Sequence, residues 1–224
     1  MTDNEIEFLV ATVLARLKKP VLLVLTAGTG YQQEIIERLA TLDMRFDIVM
    51  TDNATKRHCS TLWKKLGESL PCDFLNEVPP RLSYSAVVLP FMEYSLAAEL
   101  VCGTLLSPVS QLVHHALISG VPTLALRYHC DPHSELNALR GFDANPAYLQ
   151  QIQHTLAQLQ RYGLTLCDMN ELIARLTAPA MSSSEYSNTR YITLAELENN
   201  PALANHSASR FTDAAIDYLK EIKR

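Results

Sequence analysis

The strongest constraint in this chain is the segment from Tyr84 to Arg127, where two short apolar runs flank a long helical pattern. Ala86-Val87-Val88-Leu89 stops at Pro90. Leu96 to Val101 then runs without a breaker until Gly103. Ser107-Pro108 opens a second helical pattern, with apolar residues at Val109, Leu112, Val113, Ala116 and Leu117. After Gly120 and Pro122 the run Thr123-Leu124-Ala125-Leu126-Arg127 returns as a strand. Strand, helical crossover and strand make a βαβ unit, whose two strands lie parallel and join by a right-handed connection. Ligands in such sheets gather outside the carboxyl ends of the strands, which directs attention to Pro90–Ser95.

The flanking sequence extends the pattern. Val21–Leu25 is a continuous apolar run of the kind buried on both faces, and Phe46–Met50 is a second such strand. Between them Thr26-Ala27-Gly28-Thr29-Gly30 leads into a helix over 31–42, with Ile35, Ile36 and Leu39 facing inward. A glycine-containing turn at that junction lets backbone N–H groups approach a phosphate at the helix's positive end, and it is also ordinary chain-reversal chemistry. Thr51-Asp52-Asn53, directly after a strand, either contacts a ligand or caps the next helix. A helix containing Leu62, Trp63 and Leu66 follows, and Pro71–Leu75 reads as a short edge strand. Farther on, Asn145-Pro146 caps a helix that Gly163 ends, and Leu164–Cys167 is a last strand. These elements predict an α/β fold, a three-layer Rossmann-like domain with a central parallel sheet.

The termini differ in kind. Residues 3–19 carry Ile6, Leu9, Val10, Val13, Leu14 and Leu17 on one helical face, which needs a surface to pack on. Ala180–Asn188 holds four serines and no apolar period, marking a connector. Beyond it Thr193–Glu196 forms a capping box, and a final helix starts at Thr212. The expected division is an α/β domain over 1–179 and a C-terminal helical extension over 180–224 that packs on the same domain.

Pro90, Ser95, Gly103 and the segment Ser107–Leu117 stand where one flavoprotein superfamily places a strand-ending Pro, a polar loop, a helix-ending Gly and a second helix. The pattern resembles the homo-oligomeric flavin-containing cysteine decarboxylases and their relatives. That resemblance implies FMN as cofactor. Gly28, Thr29 and Gly30 would hold its phosphate, Thr51 its ribityl chain or ring, and the loop from Pro90 and Phe91 to Ser95 the isoalloxazine edge. Ser107 and Ser110 would come from the same or an adjacent subunit. It also implies a homotrimer or a multiple of it, with the pocket at the subunit boundary. The C-terminal segment containing Ile192-Thr193 and Arg210–Ala215 is similar to the microcompartment-associated branch. Departures matter too. The loop Asn is Ser95, the Thr after it is Leu96, and an Asp-Asn pair is Leu106-Ser107. Leu126-Arg127-Tyr128-His129 replaces the Pro-Ala-Met-Asn substrate signature, so decarboxylation of cysteine peptides or phosphopantothenoylcysteine is not expected.

The resulting expectation is an FMN-binding flavoprotein that performs redox or flavin-handling chemistry on a small-molecule substrate. A non-catalytic subunit that lost flavin binding is the alternative, as is a flavin prenyltransferase-like enzyme, for which only Arg127 and Arg140 offer a basic phosphate clamp. No acid–base dyad is visible; His58, His114 and His115 are proton carriers by residue type. His129, Cys130 and His133 are zinc-ligand types, but no second cluster completes a set, and no metal is assigned. A net charge of −5 without a basic cluster argues against nucleic acid. No apolar run reaches the roughly 18 residues of a membrane span. Five cysteines without a CxxC pair suit reduced thiols, and the acidic N-terminus is unlike a signal peptide, so a cytoplasmic location is expected.

Overall fold

The computed structural model describes residues 19–77, 79, 81–141, 145–178, 191–192, 210–211 and 218–219. The expected leading helix, the serine-rich connector, the capping box at 193–196 and nearly all of the helix from Thr212 lie outside the described residues. The chain divides into two units, 1–178 and 179–224. In the second, Tyr191–Ile192 and Arg210–Phe211 form a short parallel pair.

The first unit is a six-stranded sheet in which every pairing is parallel. Its strands are β1 (Val21–Leu25), β2 (Phe46–Met50), β3 (Gly67–Ser69), β4 (Ala86–Leu89), β5 (Thr123–Leu126) and β6 (Leu164–Cys167). They lie in the order β3-β2-β1-β4-β5-β6. This is the doubly wound arrangement, whose order reverses between the first strand and the fourth. The helices are α1 (Gln32–Leu39), α2 (Asp52–Thr55), α3 (Ser60–Trp63), α4 (Tyr94–Cys102), α5 (Pro108–Ile118), α6 (Glu135–Leu139), α7 (Pro146–Arg161) and α8 (Met169–Thr177).

Alternation along the strands builds the three layers. Leu22, Val24, Val87 and Leu89 face one side, where they meet Leu96, Ala97 and Leu100 of α4, Leu112 and Val113 of α5, and Leu156 of α7. Leu23, Leu25 and Val88 face the other, against Ile35 and Leu39 of α1, Trp63 of α3 and Leu172 of α8. Both faces of β1 and β4 are therefore covered, and every residue of these two strands is buried.

The edge differs from expectation. Cys72–Leu75 is a 3₁₀ turn, and the edge strand is the polar Gly67-Glu68-Ser69, which pairs with Phe46-Asp47-Ile48. Gly67 lies so close to its neighbour that an added Cβ would sit 1.8 Å from the Phe46 carbonyl oxygen. Backbone proximity to β2, rather than β propensity, makes this strand. β5 also stops at Leu126, and Arg127–His129 coils into a 3₁₀ turn. Among the described residues no helix is long and apolar enough to cross a membrane.

Candidate functional site

The order reversal places the loop after β1 beside the loop after β4, and the two are in contact. The Thr26 hydroxyl donates to the Phe91 carbonyl oxygen. A Cβ on Gly28 would meet Phe91 Cβ at 3.1 Å and its carbonyl oxygen at 3.3 Å, so only a bare backbone passes here without displacing the neighbour. Gly30, at φ +126, adopts a conformation that L side chains rarely reach.

Among the described residues, the N–H groups of Ala27, Gly28, Thr29 and Gly30 have no acceptor. The helix they lead into is also uncapped: Tyr31, at the N-cap position of α1, makes no side-chain cap bond. By contrast Thr51, Ser107, Ser134, Asn145 and Asp168 each cap the helix that follows them. A run of free N–H groups continuing into a positive helix end is an anion-binding arrangement. Arg140 stands at the same place, its Nη2 donating to the Thr29 carbonyl oxygen at 3.4 Å.

Behind the loop lies a ring cluster. The Phe91 side chain is fully buried and stacks on His58, with centroids 4.5 Å apart and planes 27° apart. His129 meets Phe91 edge-on at 5.8 Å, and Trp63 does so at the same separation. His58 is 4% exposed, and burial holds its imidazole below the usual range. Its Nε2–H donates to the Thr26 carbonyl oxygen at 2.8 Å, and Nδ1 lies 3.2 Å from the Gln32 side-chain amide. A carbonyl can only accept, so a proton sits on Nε2, and the Gln32 atom that faces Nδ1 is Oε1. His129 is pushed down to about 4 by burial first, with Arg140 and His58 adding to the shift. Among the described residues its buried Nε2 has no partner, and neither does Trp63 Nε1.

The remaining expected residues are distributed unevenly. Pro90 and Phe91 are buried at the end of β4, in the cluster itself. The Thr51 N–H donates to Leu25 O at 3.1 Å, which puts it beside β1, while its Oγ1 accepts from Ala54 N at 3.1 Å. Ser95 is an exposed residue in the first turn of α4. Ser107 caps α5 and donates to Glu99 Oε2 at 2.8 Å, and Ser110 donates back to Ser107 O at 2.8 Å. Arg127 is held by Glu171 at 3.2 Å and Leu166 O at 3.3 Å, so of the two expected basic residues it is Arg140 that reaches the glycine loop. Among the described residues no group of three or more His, Cys, Asp or Glu side chains is arranged to hold a metal.

His129 and Arg140, expected as a zinc-ligand type and a phosphate clamp, reach the loop from beyond β5. Glu93, to which the sequence assigned no role, occupies the N-cap position of α4 without making a cap bond. Burial raises the Glu93 carboxyl, and Arg57 opposes that shift. The only sequence signal for Glu93 is its place three residues after the strand-ending Pro90.

This fold is shared with solved flavoprotein structures. The apo form of Burkholderia xenovorans DmrB, described as a cubic protein cage for redox transfer, matches with a TM-score of 0.56 at 17% identity, over 71% of this chain and 94% of that one. Its complex with FMN matches with a TM-score of 0.54 at 16% identity, over 72% and 94%. A dodecameric FMN-dependent Ubix-like decarboxylase from Escherichia coli O157:H7 matches with a TM-score of 0.48 at 10% identity, over 66% and 79%. At these identities the likeness to the two DmrB structures establishes the α/β fold with its parallel sheet. No protein-family model and no curated protein matches the sequence.

Proposed function

We propose that this chain is an FMN-binding flavoprotein of small-molecule metabolism. The observation that carries the reading is the run of four N–H groups, Ala27 to Gly30, unpaired among the described residues and leading into the uncapped end of α1 at the point where strand order reverses. That arrangement fits a phosphate monoester, and Arg140 adds a positive charge beside it. Thr51, next to the end of β1, is placed for the ribityl chain, and the Pro90–Phe91 turn for the ring edge. A bound flavin supplies electron transfer itself, so the chain's task is to bind, orient and tune it. His58 holds the Thr26 carbonyl, which fixes the base of the loop. Glu93, its carboxyl raised by burial and lowered by Arg57, stands in the loop after β4 as a candidate proton carrier.

The cubic cage that DmrB forms supports extending the proposal to self-association as a trimer or a multiple of it, and the proposal includes a cytoplasmic location. Leu106, 78% exposed next to Leu105 in a left-handed conformation, offers apolar area for such a contact. A setting beside microcompartment enzymes is the most specific form of the proposal. The direct test is the absorbance of purified protein between about 350 and 500 nm, where a flavin absorbs and the polypeptide does not. Flavin bands that survive desalting support the reading. Colourless protein that stays colourless after incubation with FMN overturns it.

A further inference from the structure

Beside the glycine loop lies a cavity of about 310 Å³, between the start of α1, the turn after β5, α6 and the first residue of α8. That volume is at the small end of ligand sites and suits one compact molecule. It adjoins the loop directly: Leu136 on its wall would be 3.3 Å from a Cβ on Gly30.

Two rings form one side of the cavity. Tyr31 and Tyr128 stand with centroids 5.3 Å apart and planes inclined at 56°. Tyr128 is fixed from both ends, since its hydroxyl accepts from Met169 N at 3.0 Å and its carbonyl oxygen accepts from Ser134 Oγ at 2.7 Å. Tyr31 is held in the left-handed region, at φ 54 and ψ 16. A bulky side chain is strained there, and strain of this kind collects at binding sites. A glycine at position 31 would serve the turn better; the tyrosine serves the cavity.

The charges on the wall favour one sign. Glu135 makes no hydrogen bond or ion pair among the described residues, and Glu34 has only Arg38 at 3.9 Å. Among the described residues Arg127 is the one cation lining the cavity, and it is already paired with Glu171. Aromatic faces beside the unpaired Glu135 carboxylate favour an ammonium group over an anion. We infer that this cavity is the substrate subsite of the protein and takes a small amine cation carried on an apolar or aromatic body. The word substrate rests on the flavoprotein reading; the binding preference does not.

Calorimetric titration of the full chain, with and without added FMN, tests it using three probes of one shape. Tyramine carries the cation, p-cresol is neutral, and 4-hydroxyphenylacetate is an anion. Tyramine should bind about tenfold more tightly than p-cresol, with the anion weakest. Glu135→Gln should weaken tyramine about tenfold and leave p-cresol unchanged. Tyr31→Gly relieves the backbone, so it should keep the melting temperature of the parent while losing tyramine. Equal affinity for the three probes, no binding of tyramine, or tyramine binding indifferent to both substitutions would overturn the inference. FMN binding measured in the same samples separates the two readings. Tyramine failure with FMN bound sinks the subsite alone, and tyramine binding without FMN leaves the subsite and sinks the flavoprotein.

Discussion

His129 shows how burial of one side chain links the site to stability. Its folded value of about 4 lies below the usual 6.5, so the unfolded chain binds the proton more readily in that interval. The His129 contribution is therefore complete above about pH 6.5 and is lost as pH falls toward about 4. His58, lowered by burial as well, acts in the same direction. Denaturant midpoints measured from pH 7 to pH 4 should fall, and His129→Gln should flatten part of that slope; an unchanged slope would contradict the assignment. Gly30 gives a second prediction at this scale. Gly30→Ala forces a side chain into φ +126 and against Leu136, and should cost about 1–3 kcal/mol in urea unfolding. A cost near zero would mean the loop has another available conformation. Of these residues the glycines were legible in the sequence, because a Gly-x-Gly turn between strand and helix has a direct physical meaning. His58 and His129 were not. The first was read as a proton carrier by type and the second as a metal-ligand type, since nothing local reveals that both flank one phenylalanine ring.

At the scale of elements, runs rich in apolar residues identified β1, β2, β4, β5 and β6, of which β1, β4 and β5 are buried along their whole length. The edge strand escaped because Gly67-Glu68-Ser69 carries no strand signal, while Pro71–Leu75 carries one and coils instead. Edge pairing here is decided by how closely the backbone of β3 approaches β2. Gly67→Ala should therefore displace β3 and cost about 1–3 kcal/mol, with hydrogen exchange accelerated at Leu70, whose N–H donates to Ile48 O at 2.7 Å. Unaltered exchange there would show that the edge tolerates a side chain. The caps behave similarly. Thr51 and Ser107 were read as ligand contacts through resemblance, and the structure shows each also satisfying the helix it precedes, a bond worth about 1 kcal/mol. One hydroxyl has two lone pairs, so capping leaves room for a ligand without requiring one.

For the whole molecule, strand order is what joins fold to function. A parallel sheet was legible from the βαβ pattern, but the order β3-β2-β1-β4-β5-β6 depends on which side of β1 the chain returns to, and no local signal records that. The reversal brings Gly28 against Phe91, positions 63 residues apart by number, and sets the two turns where sheets of this kind gather ligands. Self-association belongs to this scale as well. Leu106→Glu should reduce the mass seen by light scattering to that of one chain and release bound flavin in the same step, if one surface serves both. Loss of the oligomer with full flavin retention would place the pocket within a single subunit. The central claim is that the β1–β4 crevice holds FMN by its phosphate, and the sole tryptophan reports on it, because Trp63 packs 5.8 Å from Phe91. Titrating FMN and riboflavin against Trp63 fluorescence is the most direct measurement. Quenching by FMN at least about tenfold tighter than by riboflavin is the predicted result, since only FMN offers charge-assisted bonds to the Ala27–Gly30 amides. Equal affinity for the two, or no quenching by either, would contradict it.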